Sequence, residues 1–339
     1  MKWLLFLAAL LCLCTRPGMA ANTRQIHTPA ANNVQETILS SAGSDTMRLL
    51  MAHWMKAFAA AHPGTDTRLE AKGSATALPA LLQGKCNLAA MSRPMGKSES
   101  ALFEAKFGYR PVAVRVAMDA LAVFVHPDNP LRGLTLQQLD GIFSSSRLCG
   151  GKELTDWGDL VYGSYEGHAI VPVGRNTLSG TYEMFRKTAM CGGMFKKNVL
   201  TEADSAEVVA AVAAAPYAIG YAGLGYRNAK VRVLAVGRNA DAGYYRYYVS
   251  SHQNDPDLTK RYAYVYRGKY PLSRMLYVYV NKAPGQPLPP TLDKFLRFAL
   301  SAQGRDIVHK TGFIPLTPEM AAKESEKLAP DYSPSWWSF

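Results

Sequence analysis

Between residues 174 and 182 the chain reads GRNTLSGTY, with Arg175 four positions ahead of the triplet Ser179-Gly180-Thr181 and directly after the apolar run HAIVPV. Ser and Thr ahead of YEMF are ordinary helix N-caps. A fixed positive charge at the end of a strand is not part of a cap and asks for a partner. Two further junctions share this build: AGSDT at 42–46 and KGSAT at 72–76 each place a glycine and hydroxyls between a strand-like and a helix-like segment. The first turn of a helix leaves N–H groups unpaired and carries about half a positive charge, so each junction can stabilise an anion. A single junction is most simply a cap. Three of them, with Arg175 and with Arg93 in MSRPM, supply hydroxyl, N–H and guanidinium donors suited to a small, oxygen-rich anion. Phosphate fits these residue types, and sulfate or a carboxylate fits them nearly as well.

The elements that must deliver these junctions are legible in the pattern. After a polar stretch from Ala21 to Gln35, TILSSAG reads as a strand. The segment from Ser44 to Gly64 reads as a helix with Leu49, Leu50, His53, Trp54, Ala57 and Phe58 on one face. TRLEAKG, SATALPALLQG and KCNLAAMSR follow as strand, helix and strand, and ESALFEAKFG as another helix. This alternation is the signature of βαβ units and a parallel sheet. VRVAMDALAVFVHPDNP is a longer strand region stopped by prolines. A second round runs through LTLQQLDGIF (helix), HAIVPVG (strand), SGTYEMFRKTAM and SAEVVAAVAAAP (helices), then YAIGYAG and VRVLAVG (strands). The chain returns as the strand RMLYVYVNK and the helices PTLDKFLRFALS and QGRDIVHKTG. The simplest assembly is α/β in two halves, joined by strand-like segments near 117–126 and 272–281. In open α/β sheets such junctions gather at the carboxyl ends of the strands, where ligands bind. Residues 238–271, rich in tyrosine and without a clear period, read as a loop or an insert.

At 339 residues and 48% hydrophobic composition the chain can bury one large core or two medium ones, and two lobes are expected. Residues 1–20 carry a basic start, an apolar run from Trp3 to Cys14 and small residues at Gly18 and Ala20, the pattern of a cleaved secretion signal. No stretch reaches the roughly 20 apolar residues of a membrane span, so the mature protein is expected to be soluble, periplasmic or secreted. Lipidation is not expected, because Cys12 and Cys14 both follow leucine. Cleavage removes Lys2 and Arg16 and lowers the formal charge from +12 to +10. The basic residues are spread without a block of five, which reads as a solvated basic surface and not as a nucleic-acid site. Of the cysteines left after cleavage, Cys149 and Cys191 both sit in CGG turns and Cys86 in a strand-like apolar segment. A Cys149–Cys191 disulfide with Cys86 buried as a small apolar residue is the expectation. No His/Cys spacing suits a metal, and no cofactor is implied.

In combination and order, AGSDT, KGSAT, AAMSRPM, DALAVFVHPDNP, LTLQQLDGIF, GRNTLSGTYEMF, YAIGYAGLGY, YPLSRMLYVYV and FLRFALSAQGRDIVHKTGFIPL cover the chain from about Thr37 to Leu316. In these segments the sequence resembles the periplasmic phosphate-binding proteins that serve phosphate ABC transporters. The resemblance implies a two-lobed type II periplasmic-binding fold. Each lobe would be a mostly parallel sheet flanked by helices, with the ligand cleft between them. Lobe 1 would comprise 36–122 and 275–325, lobe 2 would comprise 123–274, and 326–339 would form a tail with two tryptophans. It also implies a monomeric receptor, not an enzyme, whose partners are inorganic phosphate and the subunits of an ABC permease. Carried over by motif, the phosphate-binding residues are Ser44, Asp45, Thr46, Ser74, Arg175, Ser179, Gly180 and Thr181.

One departure from the family pattern bears on selectivity. Members carry an aspartate where this chain has Arg93, and that carboxylate accepts the proton of hydrogen phosphate, which sulfate lacks. Asp45 stands where those members have a threonine. The expectation is that Asp45 accepts the phosphate proton and that Arg93 pairs with Asp45 or touches the anion. Asp119 is a weaker candidate for the site, and a structural role, holding an arginine, is at least as good a reading; Arg274 reads first as a hinge or inter-lobe salt bridge.

Two other function classes were weighed. Ser179 as the nucleophile of a secreted phosphatase or esterase lacks a G-x-S-x-G elbow and a histidine placed by a motif. A surface protein with an adhesion or phosphate-sensing role would keep the fold and the basic exterior, and permease genes beside the gene would argue against it.

Overall fold

The computed structural model describes residues 37–334. The signal segment 1–20 and Trp336 and Trp337 of the tail lie outside the described residues. Strand and helix alternate from the start: β1 (Ile38–Gly43), α1 (Arg48–Ala61), β2 (Asp66–Glu70), α2 (Ala77–Leu82), β3 (Leu88–Met91), α3 (Lys97–Phe107) and the long β4 (Val112–Val125). The second round comprises β5 (Gly133–Thr135), α4 (Leu136–Phe143), β6 (Val171–Arg175), α5 (Gly180–Ala189), β7 (Leu200–Glu202), α6 (Ser205–Ala214) and β8 (Ala218–Gly223). Short strands β9 (Arg232–Val233) and β10 (Ala235–Gly237) and short helices α7 (Leu258–Arg261) and α8 (Ala263–Tyr266) precede β11 (Ser273–Val280). Helices α9 (Pro290–Leu300), α10 (Ala302–Lys310) and α11 (Pro318–Glu326) close the described chain.

The strand order β2-β1-β3-β11-β4-β8-β6-β7 is built from two parallel groups joined by antiparallel strands. β1 lies parallel between β2 and β3, and β6 lies parallel between β7 and β8. β11 and β4 run antiparallel between the groups. β4 pairs with β11 from Val112 to Ala120, then exchanges that partner for β8 from Leu121 to Val125. Its sequence allows this because VAVRVAMDALAVFV has no solvent face; from Val116 to Val125 every residue is buried, as expected of a strand covered on both sides. The two residues that interrupt its apolar run, Arg115 and Asp119, are both neutralised by partners from elsewhere. Arg115 pairs with the buried Glu324 of α11 at 2.5 Å, and Asp119 pairs with Arg274.

VRVLAVG does not form one strand. Arg232–Val233 pairs with β4 and Ala235–Gly237 with β5, and the break falls at Leu234, whose N–H donates to Val123 O at 2.9 Å. α11 carries no strong amphipathic signal; what fixes it is the tertiary pairing of Glu324. Beyond it, Lys282 Nζ donates to Pro330 O and Tyr332 O at 3.0 and 3.2 Å, which ties down the start of the tail. Cys149 and Cys191 are disulfide-bonded across a separation of 42 residues. Cys86 is free and buried, and burial pushes its thiol up to about 12. No helix among the described residues is long and apolar enough to cross a membrane.

Candidate functional site

The segment Ser44-Asp45-Thr46 leaves β1 but does not cap α1. Met47 occupies the N-cap position, with no side-chain capping bond. The three polar side chains are therefore not used as caps, although Ser44 and Asp45 are only 2% exposed and Thr46 is fully buried. Gly43 makes the turn possible. Its φ is +129°, and a Cβ there would stand 2.1 Å from Ala90 O, the acceptor of the Ser44 N–H. KGSAT forms a 3-10 turn over Ser74–Thr76 that leads into α2. Ser74 Oγ accepts the Ser92 N–H at 3.0 Å and lies 3.2 Å from Ser92 Oγ. At the third junction Ser179 does cap α5, accepting the Thr181 N–H at 3.1 Å.

Folding brings the three junctions together. Thr46 Oγ1 and Thr181 Oγ1 are 2.9 Å apart, though 135 residues separate them. Gly180 seats against the first group so closely that a Cβ would stand 2.5 Å from Ser74 Oγ and 2.6 Å from Ser92 Oγ. Ala75 N–H donates to Leu178 O at 3.2 Å, Tyr226 Oη donates to Asp45 O at 2.7 Å, and Arg48 pairs with Asp204 at 3.1 Å.

Arg175, the last residue of β6, is buried with Asp45. Its Nη1 donates to Asp45 Oδ2 at 2.6 Å, and the two side chains are 1% and 2% exposed. The rest of the guanidinium is held in place: Nη1 also donates to Ser205 Oγ at 3.0 Å, Nη2 to Ala203 O at 2.9 Å and Nε to Glu202 O at 3.4 Å. Ser205 Oγ donates in turn to Asp45 Oδ2 at 3.3 Å. Among the described residues, Asp45 Oδ1 and Ser44 Oγ are buried without a hydrogen-bond partner. Buried polar atoms are rarely left so. An acceptor and a hydroxyl of this cluster are thus left without partners, as a ligand that is itself hydrogen-bonding would require.

A second arginine stands at the same place. Arg274 of β11 donates from Nε and Nη2 to Asp119 Oδ2 at 3.0 and 2.7 Å. Nη2 also donates to Thr181 Oγ1 at 2.9 Å and to Thr46 Oγ1 at 3.3 Å. Burial pushes the Asp119 carboxyl above the usual carboxylate range, against the pull of Arg274. The expected structural role of Asp119, holding an arginine, is what the geometry shows. No motif ties either residue to the anion, because a lone acid and a lone base 155 positions apart share no spacing signal.

Arg93 differs from expectation. It pairs with Glu99, Nη1 and Nη2 donating to Oε2 and Oε1 at 2.6 and 2.8 Å, and its Nε lies 2.6 Å from Glu183 Oε2 on α5. Asp45 is taken by Arg175 instead. The reason is local: Glu99 is already fixed at the start of α3 by the Gly96 N–H at 2.7 Å, six residues from Arg93, so a planar fork finds a ready carboxylate. Burial opposes ionisation of both partners, but the paired hydrogen bonds and the Gly96 N–H hold Glu99 below the usual carboxylate range. Ser92, Ser205 and Tyr226 complete the cluster without any sequence signal, since single hydroxyls are common on every surface.

Comparison with known proteins accords with this architecture. A profile of the PBP superfamily domain matches residues 27–303. The phosphate-binding protein PstS of Pseudomonas aeruginosa is 44% identical over 292 residues, covering 86% of each chain. A solved structure of a putative phosphate ABC transporter substrate-binding protein from Clostridium perfringens, with bound phosphate, superposes with a TM-score of 0.66 at 22% identity, over 83% of this chain and all of that one. An ABC-type phosphate transport receptor from Vibrio cholerae gives a TM-score of 0.59 at 20% identity, over 82% of this chain and all of the other.

Proposed function

The chain belongs to the PBP superfamily and, within it, to the family of phosphate-binding proteins, and from that premise we propose that it is an extracytoplasmic receptor that holds inorganic phosphate between two lobes and delivers it to an ABC permease. The observation that carries this reading is the convergence of Ser44-Asp45-Thr46 and Ser179-Gly180-Thr181 on the buried Arg175–Asp45 pair. The lobes would be the two parallel strand groups, and they would hinge where β4 and β11 pass between them.

In the closed arrangement the anion would meet hydroxyls, the N-terminus of α5 and a guanidinium, all of them buried. Arg175 is balanced by Asp45 and gives its other N–H groups to Ser205, Ala203 and Glu202 except for one on Nη2, so it would offer the anion a single directed donor and no free counter-charge. Asp45 Oδ1 accepts the proton of hydrogen phosphate. Sulfate presents a bare oxygen at that position, and two acceptors facing each other in a buried site repel. Gly180 lets the helix terminus close on Ser74 and Ser92. Arg93 would join α3 to α5 through Glu99 and Glu183 and so stabilise the closed arrangement without touching the anion. A nucleophilic role for Ser179 lacks its base: among the described residues its Oγ accepts the Thr181 N–H and makes no hydrogen bond to a histidine or carboxylate.

Unfolding and refolding yields ligand-free protein, which is titrated calorimetrically with phosphate and again in excess sulfate. One-to-one phosphate binding that ignores sulfate is expected. Equal competition by sulfate would remove Asp45 as proton acceptor, and absence of phosphate binding would overturn the receptor reading.

A further inference from the structure

We propose that Arg274 donates directly to the bound anion through Nη1, so that two guanidinium groups grip it, each balanced by its own buried carboxylate. The inference rests on the phosphate reading above. The expected role of Arg274, a salt bridge between lobes, needs only one edge of its fork. That edge, formed by Nε and Nη2, is taken by Asp119. The opposite end of the group is formed by Nη2 and Nη1, and there Nη2 donates to Thr46 Oγ1 and Thr181 Oγ1. The guanidinium is planar with its donors in fixed directions, so Nη1 points to the same side as the two threonine hydroxyls. Arg274 is 7% exposed, and its Nη1 is buried with no hydrogen-bond partner among the described residues.

A buried cation with unmet donors is a strained arrangement unless something supplies acceptors. Thr46 and Thr181 are the hydroxyls that bring the two strand groups into contact, so an anion resting on them lies within reach of Nη1. The partner of Arg274 has a clear purpose on this view. Asp119 is fully buried, touches two nitrogens of the fork and fixes its plane. Gly223 leaves room for this, since a Cβ there would stand 3.0 Å from Thr46 Cγ2 and 3.3 Å from Asp119 Oδ2. Arg175–Asp45 and Arg274–Asp119 together carry no net charge, so the site distinguishes anions by the number and direction of donors. A dianion, with more charge on its oxygens, gains more from the second fork than a monoanion does.

The test titrates ligand-free wild-type protein, Arg274→Lys and the double variant Asp119→Asn/Arg274→Gln with inorganic phosphate, below and above the second ionisation of phosphate. The double variant removes both charges together, so no unpaired charge remains buried. Both variants are expected to bind phosphate about tenfold or more weakly, with the larger loss at the higher pH, where the dianion prevails. A salt bridge serving the fold alone would weaken both ionic forms equally. Binding by the double variant within about threefold of wild type at both pH values, or an equal loss at both, overturns the proposal. Should the variants fail to fold, the wild-type protein decides: Arg274 guanidinium ¹⁵N–¹H resonances that do not shift on addition of phosphate, while calorimetry shows it bound, also overturn it. Wild-type protein that binds no phosphate overturns the receptor reading, and this proposal with it.

Discussion

Replacing Asp45 with asparagine separates the two tasks assigned to that side chain. Asp45 Oδ2 balances Arg175 at 2.6 Å, with both side chains almost wholly buried, and Oδ1, buried without a hydrogen-bond partner among the described residues, is the acceptor proposed for the phosphate proton. Removing one partner of a buried pair costs about 3–5 kcal/mol, because the remaining charge is left uncompensated. Because this pair joins the two strand groups, the cost falls on the closed arrangement, and the phosphate-bound Asp45→Asn protein is expected to melt several degrees below phosphate-bound wild type. For the anion the effects are opposite in sign. Hydrogen phosphate loses a hydrogen bond to a charged acceptor, worth about 1.5–3 kcal/mol, or about 10- to 150-fold in affinity less whatever the asparagine carbonyl restores. Sulfate exchanges a repelling carboxylate oxygen for an amide that can donate, while the unbalanced Arg175 attracts it further. Its affinity should rise by about tenfold or more. The assay is calorimetric titration of the refolded variant with each anion alone and in competition, together with melting curves in phosphate and in sulfate. Sulfate should then raise the melting temperature of the variant more than that of wild type. A folded Asp45→Asn protein with the wild-type ratio of phosphate to sulfate affinity would refute the argument and turn attention to Asp119 Oδ1, the other carboxylate oxygen of the cluster that is buried without a partner among the described residues.

Three other outcomes follow from the geometry. Gly180→Ala places a Cβ 2.5 Å from Ser74 Oγ and 2.6 Å from Ser92 Oγ. Overpacking of about 1–3 kcal/mol on closure should weaken phosphate binding by about 5- to 150-fold, while the ligand-free melting temperature holds because alanine is the better helix residue by about 1 kcal/mol; unchanged affinity would mean the lobes do not close there. Reducing Cys149–Cys191, which closes a separation of 42 residues, should cost about 4 kcal/mol on the chain-entropy argument, read as a lower denaturant midpoint in reductant. Glu99, whose folded carboxyl is held low by Arg93 and Gly96 after the opposing effect of burial, contributes stability that is present above its unfolded value of about 4.3 and lost as pH falls through the lower folded value. The melting curves of Glu99→Gln and wild type should therefore differ at neutral pH and converge in strong acid; a constant gap would contradict the pairing.

Local pattern carried much of this protein. The alternation of short apolar strands with helices gave the α/β class, the long, mostly apolar run VAVRVAMDALAVFV, broken only by Arg115 and Asp119, marked a central strand, and the CGG turns marked the cysteines that pair. The three strand-to-helix junctions were legible because glycine and hydroxyl residues recur there in consecutive positions. These are properties of neighbours in the chain, and physical chemistry acts on neighbours before the fold exists. What only the tertiary structure decided is how charges are shared. Arg93, Arg175 and Arg274 each had several carboxylates available in principle; the fold gave Arg93 to Glu99 and Glu183, Arg175 to Asp45, and Arg274 to Asp119. The same holds for the caps. AGSDT reads as a helix start, yet Met47 takes that position and leaves Ser44, Asp45 and Thr46 free of capping, so that Asp45 pairs with Arg175 and Thr46 meets Thr181. For Arg175 and Arg274 the pairing depends on direction and burial across 130 and 155 residues, and no spacing along the chain encodes it; Arg93 meets Glu99 six residues on, but only once the Gly96 N–H has fixed that carboxylate.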